Sequence, residues 1–217
     1  MILAAGRGER LRPLTDHVPK PLIQVAGEPL IVRHLNRLAD AGIHRVLINT
    51  AWRGALIEHW LGNGRRFGLN IQYSHEGEQA LETGGGIHKA LPHLDQTFVV
   101  INGDVWTDLP LQQIAGMPPQ DLASLVLVDN PSANPDGDFS LDHGRVGLAT
   151  PRLTFAGISV MSHELFDGCS PGVFSVVPLL RSAIAAGRVG GQHYKGAWFD
   201  TGTVESLAAA REFARRK

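Results

Sequence analysis

Apolar residues fall into two patterns along this chain. Ile2 to Ala5, Val46-Leu47-Ile48, Phe98-Val99-Val100-Ile101 and Leu125 to Val128 are apolar throughout, and Leu69, Ile71 and Tyr73 alternate with polar neighbours. Such runs predict strands, the unbroken ones buried on both faces. Between them, Leu30, Ile31, His34, Leu35 and Leu38 keep helical spacing up to Gly42, which stands where a C′ glycine would. Leu56, Ile57, Trp60 and Leu61 predict a second helix with one apolar face, and Ile87 to Leu91 a short one closed by Pro92. Both His34 and His59 are expected to be partly buried on these helices. Strands alternating with helices predict an α/β fold with a parallel sheet, whose ligands sit at the carboxyl ends of the strands.

After Val128 the pattern loosens. A polar loop runs from Asp129-Asn130-Pro131 to Gly137, Phe155 to Met161 alternates weakly, and Val176 to Ala186 predicts a helix begun near Pro178. Val204 to Arg215 predicts a last helix, with Thr203 as N-cap and basic residues at its C-terminal end. With no repeat, low-complexity tract or linker, residues 1–217 read as a single domain.

The charge balance narrows the partners. With 20 basic and 21 acidic residues the net charge is −1, which argues against general nucleic-acid or membrane binding. No apolar run reaches the ~18 residues of a membrane span. Cys169, the one cysteine, excludes an internal disulfide and fits a reducing compartment such as the cytoplasm. The local cluster Arg7, Arg10 and Arg12 therefore points to a small polyanion.

That cluster follows the first strand directly. Gly6-Arg7-Gly8 lets backbone N–H groups close on an anion, and the cations that follow balance phosphate charge. A dinucleotide fingerprint would need glycine where Leu11 stands, which disfavours a dinucleotide oxidoreductase, and no Walker loop occurs. Lys20, held between Pro19 and Pro21, is aimed rather than free to swing, and suits phosphate oxygens on which charge develops. Arg7 and Arg12 are open to two roles, helping with the anion or pairing with Glu9 and Asp16. Asp104 follows a buried strand and a glycine, and Asp200 precedes the last helix. Each is a turn or cap residue by position alone, or half of a Mg²⁺ site if the two converge. Glu82-Thr83-Gly84-Gly85-Gly86 marks either a close approach by another group or a flexible loop.

The run from Leu3 to Leu22 resembles the signature of the sugar-1-phosphate nucleotidyltransferases, departing from it at Glu9, where most members carry threonine. The resemblance extends over nearly the whole chain. It implies a three-layer αβα Rossmann-like nucleotidyltransferase fold with a mixed, mainly parallel central sheet. It also implies nucleotidyl transfer from a nucleoside triphosphate to a sugar 1-phosphate, with Mg²⁺ as cofactor. By matching positions, Lys20 and Arg10 are the catalytic cations. Ala4, Ala5, Gly6, Arg7, Gly8, Gln79 and Gly84 bind the nucleotide, Asn102, Gly137 and Gly157 face the sugar, and Asp104 and Asp200 hold the metal. Trp106 and Trp198 flank the two aspartates and are expected to wall the site.

Gly6 to Arg10, Leu81 to Gly86, Asn102 to Asp108 and Leu127 to Pro131 look most like the short bacterial N-acetylmuramate α-1-phosphate uridylyltransferases of cell-wall recycling, which implies UTP as donor. Glucose- or mannose-1-phosphate nucleotidyltransferases are the alternatives. A nucleotide-sensing module is disfavoured because Lys20 and both aspartates are present. The Glu-Lys-Pro segment of longer members, whose lysine holds the sugar phosphate, is missing. Arg152 and Arg145 are the candidate replacements, and the loop from Asn130 to Gly137 is expected to be open. Longer members also oligomerise through an added β-helix that this chain lacks, so a monomer is expected.

Overall fold

The computed structural model describes residues 1–77, 80–114, 116–118 and 120–216. Its first strands are β1 (Ile2–Leu3), β2 (Gln24–Val25), β3 (Glu28–Pro29), β4 (Arg45–Thr50), β5 (Asn70–His75), β6 (Thr97–Asn102) and β7 (Val105–Thr107). There follow β8 (Ala123–Val128), β9 (Ser140–Asp142), β10 (Arg145–Gly147), β11 (Thr154–Ser162), β12 (Val189–Tyr194) and β13 (Trp198–Asp200). The helices are α1 (Leu14–His17), α2 (Leu30–Asp40), α3 (Gly54–Leu61), α4 (Glu82–Ala90), α5 (Val177–Ala185) and α6 (Val204–Arg215). These elements assemble into two compact units, one of residues 1–80, 102–112 and 197–217, the other of residues 81–101 and 113–196.

In the first unit β1, β4 and β5 run parallel, β4 lying between the others, with Ile2 opposite Ile48 and six successive pairs joining β4 to β5. The predicted face of α2 is fully inside, and its end is a Schellman motif: Ile43 N–H donates to the Leu38 carbonyl and Gly42 N–H to that of Ala39 (both 2.9 Å). Strands β7 and β13, neither predicted, form their own antiparallel ladder. Trp106 of this ladder meets both Phe199 (5.7 Å) and Phe213 of α6 (5.6 Å) edge-on, and Phe199 lies tilted against Phe213 at 5.6 Å between ring centres. They complete a core with Leu11, Ile23, Val25, Leu30 and Leu207. Trp106 thus packs inside, at 4% exposure, and does not wall the site. Helix α6 starts on the predicted Thr203, which forms a capping box with Ser206.

The second unit orders its strands β6-β11-β8-β12-β10-β9. Strand β8 is buried along its whole length and pairs parallel to β12, while β11 runs antiparallel between β6 and β8. The hairpin β9–β10 and β12 escape the sequence pattern, because His143-Gly144 and Gly190-Gly191 read as loop residues. Helix α4 begins at Glu82, earlier than expected, and takes in all three glycines. Among the described residues, no helix is long and apolar enough to cross a membrane.

His59 is exposed, contrary to expectation, and so are Leu56 (40%) and Trp60 (41%) of the same helix. They border an apolar cavity of about 450 Å³, with Leu14, Val18 and Leu22. His34 is fully inside α2, and burial, then the nearby Arg37 and Arg33, push its pKa down to about 4. The fold therefore holds it neutral, and the unfolded chain takes up its proton first as pH falls. Its contribution is complete above pH ~6.5 and is lost as pH falls towards 4, about 3 kcal/mol in all. Urea unfolding across this range should show a shallower pH slope for His34→Leu than for the wild type; parallel slopes would remove His34 from the account.

Candidate active site

The glycine loop after β1 is fixed from inside. Gly8 adopts φ +70°, and its carbonyl accepts from Leu11 N–H (3.0 Å) and from the buried Thr15 hydroxyl (2.8 Å). A side chain on Gly8 would lie 3.0 Å from the Thr15 methyl and 3.3 Å from Lys20 Cβ, so glycine is required on two grounds. Around Gly6 the corresponding space is open. Among the described residues, nothing accepts from the N–H groups of Gly6, Arg7 or Gly8, as an anion-binding loop requires. The Ala4 N–H, in contrast, is already used: it donates to Asn49 Oδ1 (2.7 Å), and Asn49 Nδ2 donates to the buried Glu76 carboxylate (2.6 Å). Ala5 is buried beside it. Asn49 and Glu76 lie far from the loop in sequence and carry no motif, so only the parallel pairing of β1, β4 and β5 reveals them.

The open question over the arginines has a definite outcome. Arg7 donates to Asp16 (2.7 Å) and to the Thr15 carbonyl (2.9 Å), and lies 3.7 Å over the Trp52 ring. Arg12 donates to the same Asp16 oxygen (2.9 Å). Arg7 first, then Arg12, hold the Asp16 carboxyl below its ordinary pKa. Lys20 and Arg10 are left for other work.

Lys20 Nζ donates to Asp104 Oδ2. The lysine is 8% exposed overall, the Asp104 side chain 32%. Asp104 sits where Gly103 passes against β1: Gly103 N–H donates to the Leu3 carbonyl (2.9 Å), and a Cβ would be 2.6 Å from that oxygen. Thr201 holds the Asp104 carbonyl through both its N–H (3.0 Å) and its hydroxyl (2.7 Å). Helix α2 clamps the strand beyond, with Arg33 (3.2 Å) and Arg37 (2.8 Å) donating to the Thr107 carbonyl. Asp200 pairs with Val105 across the β7–β13 ladder, which brings the two aspartates to one end of it. Asp200 Oδ1 accepts from Gly202 N–H (2.9 Å), and a side chain on Gly202 would meet both that oxygen (2.9 Å) and the Arg10 guanidinium (2.7 Å). Lys20, Asp104, Arg10 and Asp200 thus form one cluster beside the glycine loop. Two carboxylates on neighbouring strand ends are a donor set that fits Mg²⁺, which takes one or two carboxylates with phosphate and water oxygens.

The remaining predicted residues each have surroundings of their own. Asn102 ends β6, half-buried, and Gln79 lies outside the described residues. In the second unit, Gly84 faces protein: a Cβ there would be 2.5 Å from the Phe174 ring. Gly85 N–H donates to the Phe174 carbonyl (3.0 Å), and its own Cβ would strike the Gly172 carbonyl. The group that the glycine triplet admits within this unit is therefore the segment from Gly172 to Phe174. Gly157, at φ +70°, occupies the irregularity in β11. Gly137, at φ +64°, packs against Asn130 and Arg152.

The loop from Asn130 to Gly137 is largely exposed, as expected, but it is tied down by hydrogen bonds. Asn130 donates to the carbonyls of Pro135 (3.0 Å) and Arg152 (3.1 Å), and Asn134 donates to Asp138 and Thr154 (both 3.2 Å). Both candidate phosphate cations on this side are engaged. Arg145 forks onto the buried Asp121 (2.8 and 2.9 Å), and Arg152 donates to the Leu148 carbonyl (2.9 Å).

The family model for nucleotidyl transferases matches residues 1–131: the chain belongs to that family. It is 48% identical to an N-acetylmuramate alpha-1-phosphate uridylyltransferase of Neisseria meningitidis serogroup B, over 99% of this chain and 97% of the relative. A protein of the same name from Caulobacter vibrioides is 32% identical over 97% of this chain and 94% of its own. The mixed, mainly parallel Rossmann-like fold is shared with a Bacillus anthracis crystal structure assigned as a glucose-1-phosphate thymidylyltransferase. That structure has a TM-score of 0.87 at 20% identity, covering 100% of this chain and 94% of the other.

If Phe174 is what Gly84 makes room for, Gly84→Ala should destabilise the chain by roughly 1–3 kcal/mol through overpacking. Adding Phe174→Ala should return part of that loss. Urea unfolding of the single and double variants measures the coupling, and strict additivity would mean that the two residues do not meet.

Proposed function

We propose that this protein transfers UMP from UTP to N-acetylmuramic acid α-1-phosphate, releasing pyrophosphate, as a step of peptidoglycan recycling. The observation that carries the transfer chemistry is the cluster of Lys20, paired with Asp104, and of Arg10 and Asp200 on either side of Gly202, beside a glycine loop with unused N–H groups. The near full-length identity to two N-acetylmuramate alpha-1-phosphate uridylyltransferases supports the choice of sugar and base.

In this reaction a phosphate oxygen of the sugar 1-phosphate attacks the α-phosphorus of UTP. The bond from that phosphorus to the oxygen bridging to the β-phosphate breaks, and pyrophosphate leaves. The loop N–H groups and Arg10 bind the triphosphate, and Lys20 meets the charge that spreads over the α-phosphate oxygens. Asp104 and Asp200 would hold Mg²⁺, which would supply electrostatic stabilisation of the same charge. The chain needs no nucleophile of its own.

Three sugars decide the substrate. With UTP, kcat/KM should be highest for N-acetylmuramic acid α-1-phosphate, with N-acetylglucosamine 1-phosphate modestly behind and glucose 1-phosphate last. A tenfold preference for glucose 1-phosphate would overturn the cell-wall assignment. Separately, Asp104→Asn or Asp200→Asn should lower turnover at least ~100-fold, about 2.7 kcal/mol, and Asp200→Asn should do so without lowering the unfolding midpoint. Neither side chain belongs to the apolar core. Activity that persists in EDTA would remove the metal from the mechanism.

A further inference from the structure

We propose that Lys20 is a built-in counter-ion for Asp104, which the lysine and a divalent cation hold in turn and never together. The inference rests on the assignment of Asp104 to a cation in the functional proposal. Among the described residues, the one hydrogen bond to the Asp104 carboxylate comes from Lys20 Nζ. The lysine is drawn inward, its side chain 10% exposed, with its stem walled by the bare α-carbon of Gly8 and its backbone stiffened by Pro19 and Pro21. An ammonium so placed must keep an anionic partner, because an unpaired buried charge is strongly destabilising.

The second carboxylate has a cation nearby, though not bonded to it. The Arg10 guanidinium occupies the space beside Gly202, next to Asp200. Two side-chain cations therefore face two carboxylates, and together they carry the charge of one divalent ion. The cluster is electrically complete without metal. A second cation on Asp104 at a Mg–oxygen distance of about 2.0–2.1 Å would face the ammonium across a single carboxylate, and like charges that close repel strongly. Lys20 must leave as the metal arrives, and the triphosphate oxygens are the anions that can receive it. Metal and triphosphate thereby favour each other's binding, and the coupling is reciprocal.

The test is Mn²⁺ binding without nucleotide, read from the electron paramagnetic resonance signal of free aqueous Mn²⁺. Lys20→Met should bind Mn²⁺ at least tenfold more tightly than the wild type, while losing transfer activity. Lys20→Arg, which keeps the charge, should stay near the wild type. Adding a non-hydrolysable UTP analogue should tighten Mn²⁺ binding at least tenfold in the wild type and by less in Lys20→Met. The wild-type arm does not depend on how well a variant folds. Unchanged or weaker Mn²⁺ affinity in Lys20→Met overturns the proposal, as does tightening in Lys20→Arg equal to that in Lys20→Met. Binding indifferent to both Lys20→Met and Asp104→Asn would also bring down the metal assignment; binding that needs Asp104 but ignores Lys20 would bring down the counter-ion role alone.

Discussion

An ammonium carried inward on a proline-flanked stem, with one carboxylate to meet it, sets the terms for the first unit. Lys20 reaches Asp104 only because Gly8 has no side chain in the way, and because Thr15 pins the Gly8 carbonyl so that the loop cannot relax. Asp104 in turn is presented by a strand end that Gly103 brings against β1 and that Thr201 holds by two hydrogen bonds. Each support is short-ranged and directional, so each residue type is dictated by geometry as much as by chemistry.

Helix α2 shows how a packing element doubles as a clamp. Its apolar face fills the core, and the polar residues next to that face turn onto β7: Arg33 and Arg37 to the Thr107 carbonyl, His34 to the backbone of Val105. Arg33 also covers the Trp106 ring at 4.5 Å. The strand that follows Asp104 is thus tied to a rigid helix, which suits a carboxylate whose position matters to within a fraction of an ångström.

In the second unit the glycines answer first to the protein. Gly84 and Gly85 admit the segment from Gly172 to Phe174, Gly137 admits Asn130 and Arg152, and Gly157 turns the chain within β11. A glycine in a motif signals that something comes close; whether that something is a ligand or another piece of chain is a matter of tertiary contact. The same holds for Arg145 and Arg152, whose charge alone makes them candidates and whose forked or backbone hydrogen bonds commit them to the unit itself.

The sequence by itself determined the elements whose causes are local. Apolar periodicity specified α2, Gly42 its end, Thr203 the start of α6, and unbroken apolar runs the strands β4, β6 and β8. The glycine loop, with Lys20 and Arg10, was legible because anion binding uses residues adjacent in the chain. Everything that depends on contact between distant segments waited for the tertiary structure. The β7–β13 ladder that unites Asp104 with Asp200 and the Asn49–Glu76 link to Ala4 leave no periodic trace. Short strands and single hydrogen bonds gain their energy from partners that lie far away in sequence. Periodicity records only which face of an element is buried, and folding alone decides what is buried against it.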